Sequence, residues 1–504
     1  MLNVSLNRLT RRLDIVTDDP CLHYFLETKE KQWQYIPWKK EWGYNDRVVK
    51  IYDPGKHSMS DGTFKYSVGL GWAGYLLGVF KDKLTAEDYK GIITDIIYAD
   101  TYRDIPFPGL RDYQNEDVLF LLRYRTGLFQ VNTGYGKTQL IATLLNYAHT
   151  DLGKNVLLVC PSNKARDELV KRCKSVFGLT VSTKDKDLNG SLDCIITSGL
   201  LNSKKTKDPA LEGAFKAVLA NYDWVLVDEV EYTINDAGQY IYDNCIGAER
   251  FYGFSGTADK VGAETITFTD GLSDVVTRNK DLIKYFGPSL IYRMPLNISI
   301  DNVVIKTSSL DNLVIDGAAI DESGNVYSEV MKQIWTDPDV CRTIMKVIKK
   351  FPLCFIPINN LTNILYDWIE NYWVGTFRVL LVCGEGYIYY DLDGTKTNLT
   401  LQESCDYIRD GKVDVIPSTS SGYRALDFPN LENILICAGK LAGVTLQCVG
   451  RVARGNHMNI ISLEPHSKRK IPVYSKGAKE RAELINTYYQ FCNLNNRVMD
   501  ESEL

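Results

Sequence analysis

The amino-acid sequence predicts an α/β protein in which two parallel sheets follow one another along the chain, each with helices on both faces. Two observations carry this prediction. Short, almost continuously apolar segments occur in two separate sets, and stretches with helical character lie between the segments of each set. Strands that are buried on both faces of a parallel sheet have this composition, and the intervening helices serve as crossovers. A smaller α+β region is expected before the two sheets.

The apolar segments define the expected domains. The first set comprises residues 127–131, 155–160, 194–197 and 224–227, with helices predicted over 139–149 and 165–176. The second set comprises residues 353–357, 379–382, 413–416 and 433–437. With a domain expected for roughly every 150 residues, we predict three domains, at residues 1–105, 106–290 and 291–504. Roughly residues 271–300 are expected to connect the two α/β domains.

Composition and charge limit the classes of protein to which the chain can belong. The chain has 504 residues, 45% of them hydrophobic and 24% charged, and a formal net charge of -5, so any nucleic-acid site must lie in local basic patches. Neither a signal peptide nor an apolar span of about 20 residues is predicted. The twelve cysteines are scattered without a C-x-x-C pair, which favours reduced core residues over zinc ligands. We expect a cytoplasmic protein without membrane contact or structural zinc.

Residues 133–138 (TGYGKT) have the composition of a phosphate-binding loop. The segment follows an apolar strand and opens a helix, and its two glycines let backbone N–H groups turn toward phosphate oxygens. Lys137 is expected to reach the β- and γ-phosphates of ATP, and the Thr138 hydroxyl is expected to ligate Mg²⁺. Because strand and helix are both in place, the segment predicts a nucleotide site rather than a surface turn.

A pair of acids ends a later strand of the same predicted sheet. Asp228 and Glu229 follow the apolar run 224–227. Metal-assisted phosphoryl transfer needs one carboxylate near Mg²⁺ and a second one that positions and polarises the attacking water. Taken alone, a strand that ends in solvated acids is equally common. Its position about 90 residues after Lys137, in the same predicted sheet, favours the catalytic interpretation.

Two further segments add to the set. Residues 252–258 (YGFSGTA) end an apolar run in small hydroxyl residues, and residues 447–454 (QCVGRVAR) place Arg451 and Arg454 three positions apart. Arginines with this spacing share one face of a helix. Such arginines can stabilise the charge on a γ-phosphate, although a solvated basic helix face has the same pattern.

In this order, the segments resemble the motifs of superfamily 2 helicases. The resemblance covers residues 110–454 and implies two tandem RecA-like domains, hydrolysis of ATP with Mg²⁺, a nucleic-acid partner, and action as a monomer. Weaker matches at residues 42–53, 69–71 and 383–385 resemble phage branch-migration helicases of the UvsW type. That likeness implies branched or forked DNA as the partner and the cytoplasm of a host cell as the location.

The resemblance also implies roles for individual residues, with Gln114 as the residue that recognises adenine. The implied catalytic residues are Lys137, Asp228, Glu229, Arg451 and Arg454. The implied nucleotide contacts are Tyr113, Gln114, Asn132, Thr133, Gly134, Tyr135, Gly136, Lys137, Thr138 and Asp427, with Mg²⁺ at Thr138 and Asp228. Coupling of hydrolysis to DNA is implied for Ser255, Thr257 and Gln447, and contact with the DNA backbone for Pro161, Ser162, Asn163, Thr197 and Ser198.

A basic and aromatic segment near the amino terminus is a further candidate for DNA contact. Residues 29–50 interleave six cations with five aromatic residues. Cations contact phosphates and exposed aromatic rings stack on bases, so Lys39, Lys40 and Trp42 are predicted DNA contacts. Aromatic residues at this density equally suit the core of a small domain.

Several positions depart from the superfamily pattern. Val131 replaces the first glycine of the phosphate-loop motif, Glu231 stands where many relatives have histidine, and Ala425 stands where a glycine is usual. Residues 387–400 resemble an inserted hairpin with Asp393 and Gly394 at its turn, either a strand-separating element or a surface excursion. The alternatives to a DNA helicase are an RNA helicase, the motor subunit of a nuclease complex, and a non-catalytic DNA-binding protein with a degenerate ATPase.

Overall fold

The computed structural model describes most of the chain in two compact units, one holding Met1–Val131 and Tyr135–Arg293 and the other holding Met294–Leu504. The described residues are 2–7, 12–19, 26–36, 41–50, 58–60, 63–92, 97–131, 135–183, 188, 190–256, 265–268, 274–276, 280–287, 289–293, 298–311, 333–334, 336–358, 362–419, 428, 430–436, 449, 457–466, 481–483, 485–486, 489 and 492–504.

The first unit contains fourteen strands and ten helices among its described residues. The strands are β1 (Leu2–Asn7), β2 (Arg12–Thr17), β3 (Glu27–Ile36), β4 (Glu41–Lys50), β5 (Ser58–Ser60), β6 (Thr63–Gly69), β7 (Thr126–Val131), β8 (Val156–Cys160), β9 (Leu192–Ile196), β10 (Trp224–Asp228), β11 (Arg250–Ser255), β12 (Thr265–Phe268), β13 (Asp274–Val276) and β14 (Ser289–Arg293). The helices are α1 (Ala73–Phe80), α2 (Ala86–Ile92), α3 (Asp112–Leu121), α4 (Lys137–Asn146), α5 (Asn163–Phe177), α6 (Lys204–Lys207), α7 (Pro209–Leu219), α8 (Val230–Thr233), α9 (Asp236–Asn244) and α10 (Lys280–Phe286).

The second unit contains nine strands and four helices among its described residues. The strands are β15 (Ser299–Thr307), β16 (Cys354–Ile358), β17 (Val379–Cys383), β18 (Gly386–Tyr390), β19 (Lys396–Leu399), β20 (Val415–Thr419), β21 (Asn433–Ile436), β22 (His457–Pro465) and β23 (Asn493–Asp500). The helices are α11 (Ser308–Asp311), α12 (Pro338–Lys350), α13 (Thr362–Trp368) and α14 (Leu401–Arg409).

The amino-terminal part of the first unit is a small antiparallel sheet in the order β1-β2-β6-β5. Alternate residues of β2 and β6, Leu13, Ile15, Tyr66 and Val68, are buried and form its core together with Trp72. A sheet with one buried face shows this period of two. Together with α1 and α2, this sheet is the small α+β region that the sequence predicts.

The main sheet of the first unit has six strands, all paired in parallel, in the order β14-β7-β11-β10-β8-β9. Every residue of β8 is buried, as in the centre of a sheet covered on both faces. In a parallel sheet the carboxyl ends of all strands meet at one edge. The residues that follow β7, β8, β9, β10 and β11 therefore lie along that edge.

The prediction that residues 271–300 form a simple connection is wrong. This stretch contains β13, α10 and β14, and β14 pairs in parallel with β7 as an edge strand of the main sheet. The strand prediction missed β14 because a five-residue edge strand gives only a short apolar signal. In addition, β12 pairs with β3, so β12 and β13 share a four-stranded sheet, β13-β12-β3-β4, with the hairpin of β3 and β4.

The second unit is built on a nine-stranded sheet in the order β19-β18-β17-β20-β16-β21-β22-β15-β23. Along this order, neighbouring strands pair in parallel from β17 through β20, β16, β21, β22 and β15 to β23. Strand β18 pairs antiparallel with both β17 and β19. Parallel sheets in both units, with helices between successive strands, confirm the predicted α/β class. The division into three domains stays a prediction.

The predicted hairpin at residues 387–400 is present and continues the main sheet of the second unit. Gly394 has a φ of 84°, which a glycine at the turn accommodates. The carboxylates of Asp391 and Asp393 accept hydrogen bonds from the backbone N–H groups of Leu392 and Thr395. Two acids at the tip do not suit contact with phosphates, so these observations favour a surface extension of the sheet over a strand-separating element.

Candidate active site

The phosphate-binding loop lies between the end of β7 and the start of α4. Gly136 precedes α4 with a φ of 98°, a left-handed conformation that favours glycine. A Cβ atom at this position would lie 2.6 Å from Nε2 of Gln114. Both observations show that this position requires glycine. Gly136 directly precedes α4, and the backbone N–H groups at the start of a helix can donate hydrogen bonds to phosphate oxygens. The predicted contacts Asn132, Thr133 and Gly134 lie outside the described residues.

The structure brings the lysine of this loop to the acids that follow β10. Nζ of Lys137 lies 2.9 Å from Oε1 of Glu229, and the two side chains are only 12% and 20% exposed. Burial alone lowers the pKa of Lys137, but the carboxylates of Glu229, Asp228 and Glu231 outweigh it and raise the pKa overall. Lys137 therefore stays a cation at the place where a γ-phosphate needs one.

Glu229 has an unusual backbone conformation for a residue with a side chain. Its φ is 46° and its ψ is 59°, in the left-handed helical region. This conformation costs roughly 1–2 kcal/mol in a residue other than glycine. It turns the chain sharply between β10 and α8 and leaves the carboxylate against Lys137. Strain of this kind concentrates at functional sites, which supports a role for Glu229 in chemistry.

Three carboxylates share this buried site with one ammonium group. Burial, followed by the charge of Glu229, raises the pKa of Asp228 to about 7 and that of Glu231 to about 8. Carboxylate oxygens are ligands that Mg²⁺ prefers, but among the described residues no group of three His, Cys, Asp or Glu side chains is arranged to hold a metal ion. The predicted Mg²⁺ ligands are Asp228, the last residue of β10, and the half-buried Thr138 at the start of α4, and both have the oxygen atoms that Mg²⁺ requires.

Glu231 also connects the acids to the next predicted motif. Ser255, the last residue of β11, is fully buried and hydrogen-bonds to the Glu231 carboxyl group. The sequence singled out Glu231 only as a departure from its relatives and did not predict this contact. Its position two residues after Glu229, on the short helix α8, was the available signal. The other coupling residues, Thr257 and Gln447, lie outside the described residues.

Gln114 of α3 lies against the phosphate-binding loop. Its Nε2 donates a hydrogen bond to the backbone oxygen of Tyr135 at 2.6 Å, and its Oε1 accepts one from the Arg111 backbone N–H at 2.9 Å. Tyr113 beside it is 40% exposed, and its ring meets the Tyr135 ring edge-on at 5.1 Å. Tyr113 and the buried Gln114 therefore both contact Tyr135 of the phosphate-binding loop.

Tyr135 makes a second contact with α3 that the sequence did not predict. Its hydroxyl group donates a hydrogen bond to Oδ2 of Asp117 at 2.6 Å, and Asp117 is only 3% exposed. Gln114 and Asp117 are three positions apart and share a face of α3. That spacing was the only sequence signal for the contact.

The predicted contacts with the DNA backbone lie at the carboxyl ends of β8 and β9, on the same sheet edge as the phosphate-binding loop. Ser162 caps α5, and its Oγ accepts a hydrogen bond from the Ala165 backbone N–H at 3.4 Å. Asn163 and Ser198 are exposed, whereas Thr197 is buried. Pro161, between β8 and Ser162, is half-buried.

Of the remaining predicted site residues, the structure describes only Trp42. Trp42 belongs to β4, where its backbone pairs with Tyr35 of β3. The other predicted residues that lie outside the described part of the chain are Lys39, Lys40, Asp427, Arg451 and Arg454. Within the described residues, no helix has the length and hydropathy needed to span a membrane.

Comparison with known proteins gives a family for part of the chain. Residues 108–259 match the helicase-family model described as "Type III restriction enzyme, res subunit" (ResIII). The matched segment contains the phosphate-binding loop, Asp228, Glu229 and Ser255. No curated protein sequence matches the chain. The family match confirms the resemblance to superfamily 2 helicases for this segment and the prediction of an ATP-hydrolysing enzyme.

Solved structures with a similar fold include three helicase-like proteins. The ATP-dependent Type ISP restriction-modification enzyme LlaBIII bound to DNA is 11% identical, with 78% of this chain and 32% of that chain covered and a TM-score of 0.50. T4 UvsW is 13% identical over 99% of both chains, with a TM-score of 0.39. A DEAD box protein from Methanococcus jannaschii is 12% identical over 77% of this chain and 92% of its own, with a TM-score of 0.41. These similarities concern the fold alone.

Proposed function

We propose that this chain is an ATP-dependent DNA motor that remodels branched DNA, such as forks, D-loops or Holliday junctions, in recombination, repair or replication. The ResIII domain at residues 108–259 makes it an ATP-hydrolysing enzyme of the helicase kind. The observation that carries the proposal is the buried Lys137–Glu229 pair, in contact at 2.9 Å beside Asp228. It joins the phosphate-binding loop to the acids that hydrolysis needs.

The residues divide the chemistry of ATP hydrolysis among them. Lys137 neutralises the charge on the β- and γ-phosphates, and Glu229 orients and polarises the attacking water. Thr138 and Asp228 would hold Mg²⁺, which supplies charge neutralisation on the phosphate oxygens when bound. In the proposal, Gln114 recognises adenine. Arg451 and Arg454, outside the described residues, keep their proposed role as sensors of the γ-phosphate.

The Lys137–Glu229 contact also suggests how the site without ATP differs from the site with ATP bound. While Lys137 contacts Glu229, the ammonium group compensates a carboxylate rather than a phosphate. ATP offers Lys137 a competing anion of higher charge, which would free Glu229 to accept a hydrogen bond from water. Because Glu231 contacts both this cluster and Ser255, changes at the phosphates can reach the end of β11. Coupling of hydrolysis to DNA is proposed to pass through this contact.

The proposal of a DNA partner rests on exposed residues at the sheet edge and on the sequence motifs. Exposed Asn163 and Ser198 lie at the carboxyl edge of the main sheet of the first unit, where they can contact a phosphate backbone. LlaBIII, which has a similar fold, is bound to DNA in its structure. The likeness to UvsW-type motif segments supports branched DNA, action as a monomer, and the host cell cytoplasm as the location.

Steady-state ATP turnover with different polynucleotides tests the proposal. We expect low turnover without nucleic acid, higher turnover with single-stranded or duplex DNA, and the highest with a forked duplex or a four-way junction. Equal or greater stimulation by RNA would move the partner to RNA and contradict the proposal. Absence of turnover with every polynucleotide would favour the degenerate-ATPase alternative.

A further inference from the structure

Three lysines follow β9 within four positions. Lys204, Lys205 and Lys207 belong to the short helix α6, and Lys204 and Lys207 are exposed while Lys205 is half-buried. None of the three forms an ion pair with a residue that the structure describes. In a chain with a net charge of -5, these three lysines form a local basic patch.

The position of α6 connects these lysines to the active site through the sheet. They come after the carboxyl end of β9, the outermost strand on that side of the six-stranded sheet. The same edge carries the phosphate-binding loop after β7, the residues 161–163 after β8, and Ser198 after β9. The lysines therefore extend the row of predicted backbone contacts toward the outer end of the sheet edge.

Local contacts hold the lysine segment in a defined conformation. The Thr206 hydroxyl donates to the backbone oxygen of Leu200, whose side chain is buried in the core. Nζ of Lys205 lies 5.4 Å from the centre of the Phe215 ring, and that ring stacks on Tyr240. A cation above an aromatic face is held without losing its charge. These contacts therefore hold the lysines of α6 in a defined position.

The nearest acids in the chain are already engaged elsewhere. The Asp208 carboxylate caps α7 by accepting a hydrogen bond from the Ala210 backbone N–H. Glu212 pairs with Lys216, and this ion pair keeps the pKa of Glu212 below its usual value. Among the described residues, neither carboxylate forms an ion pair with a lysine of α6.

We propose that Lys204, Lys205 and Lys207 bind the phosphate backbone of the DNA strand on which the motor moves. Three cations on one helical turn concentrate positive charge at this end of the sheet edge, and a phosphate backbone is the polyanion that such a patch attracts. Polyphosphates of nucleotides are already accommodated at the phosphate-binding loop, four strands away in the sheet. This inference rests on the proposed function, since it requires a DNA partner.

The test compares two triple variants of the full chain. In the first, Lys204, Lys205 and Lys207 are each replaced by glutamine. In the matched control, Lys171, Arg172 and Lys174 are replaced by glutamine, because these exposed cations lie on the last turns of α5, away from the carboxyl edge. Binding of a fluorescein-labelled oligothymidylate is measured by anisotropy across a series of salt concentrations, together with DNA-stimulated ATP turnover.

The α6 variant should bind the oligonucleotide on the order of ten- to a hundredfold more weakly than the native chain at about 0.1 M salt. Its plot of log K against log salt should be shallower by about 2, from three contacts of roughly 0.7 each on a single strand. Basal turnover and turnover at saturating DNA should stay unchanged, since these lysines do not contact the nucleotide site. The α5 control should match the native chain in all these measurements.

Two outcomes would overturn the inference in distinguishable ways. If the native chain binds and responds to DNA but the α6 variant behaves like the α5 control, the lysines do not contact the backbone while the proposed function stands. If the native chain itself neither binds DNA nor is stimulated by it, the proposed function fails and the inference fails with it. A measurement of the melting temperature of both variants separates loss of binding from loss of fold.

Discussion

At the scale of single residues, the site is a balance of buried charges. Lys137 contacts Glu229 at 2.9 Å, and Asp228 and Glu231 add two further carboxyl groups around them. Burial disfavours the ionised forms of Asp228 and Glu231, and the neighbouring Glu229 charge adds to this effect. The pKa values of these two acids are therefore raised, to about 7 and about 8. Burial of these charged groups destabilises the folded state, and we infer that the site holds them because phosphate and Mg²⁺ chemistry needs them.

Replacement of Glu231 by glutamine should change how stability depends on pH. The pKa of Glu231 in the folded chain is raised to about 8, above its value of roughly 4.3 in an unfolded chain. The folded state keeps a proton that the unfolded state loses, so this group makes the folded state less stable as pH rises from about 4.3 to about 8. Glutamine cannot ionise. The melting temperature of the variant, measured in EDTA, should rise relative to the native chain across this window.

The control for this prediction is the variant Glu212→Gln. Glu212 is exposed and its pKa lies below the usual value, mainly because of its hydrogen bond with Lys216. Between pH 5.5 and pH 8 it is ionised in both states, since both pKa values lie below this range. Glu212→Gln should therefore show a difference from the native chain that does not change with pH. A pH-independent difference for Glu231→Gln as well would show that Glu231 is ionised in the folded chain.

At the scale of elements, α3 and the phosphate-binding loop act as one unit. Tyr135 is held at its backbone oxygen by Gln114 and at its hydroxyl group by Asp117, at 2.6 Å in both cases. The loop conformation needed for phosphate therefore depends on the helix that carries the predicted adenine-binding residues. Contacts at both ends of one residue place the base and phosphate parts of the site at a fixed separation.

Removal of the Tyr135 hydroxyl group should weaken nucleotide binding. In Tyr135→Phe the buried Asp117 carboxylate loses a hydrogen-bond donor, at a cost of about 1–3 kcal/mol. We expect an increased KM for ATP of several fold and a much smaller change in kcat, because Lys137 and Glu229 are untouched. Steady-state kinetics with and without DNA measure both constants.

The matched control for this prediction is Tyr147→Phe. Tyr147 is also largely buried and lies just after α4, but its hydroxyl group makes no hydrogen bond with a residue that the structure describes. This variant should keep the native KM. If Tyr135→Phe lowers kcat while leaving KM unchanged, the hydroxyl group serves catalysis and the positioning role is wrong.

At the scale of the whole molecule, the sequence predicted the two parallel sheets because fully buried strands such as β8 and β17 are almost wholly apolar. It also brought Lys137 together with Asp228 and Glu229 through the ordered motifs. It missed β14 and the pairing of β12 with β3, since short edge strands leave little periodic signal and pairing between distant segments leaves none. The contact of Glu231 with Ser255 and that of Tyr135 with Asp117 depend on tertiary packing, which no local pattern records.

The central claim is that ATP hydrolysis at Lys137 drives the remodelling of branched DNA. The most direct measurement is the conversion of a synthetic four-way junction into duplex products in the presence of ATP and Mg²⁺. It compares the native chain with Lys137→Ala and with Lys154→Ala, a control that removes a half-buried lysine paired with Glu249. We predict conversion by the native chain and by Lys154→Ala, and none by Lys137→Ala. Conversion by Lys137→Ala at the native rate, or no conversion by the native chain, would contradict the account.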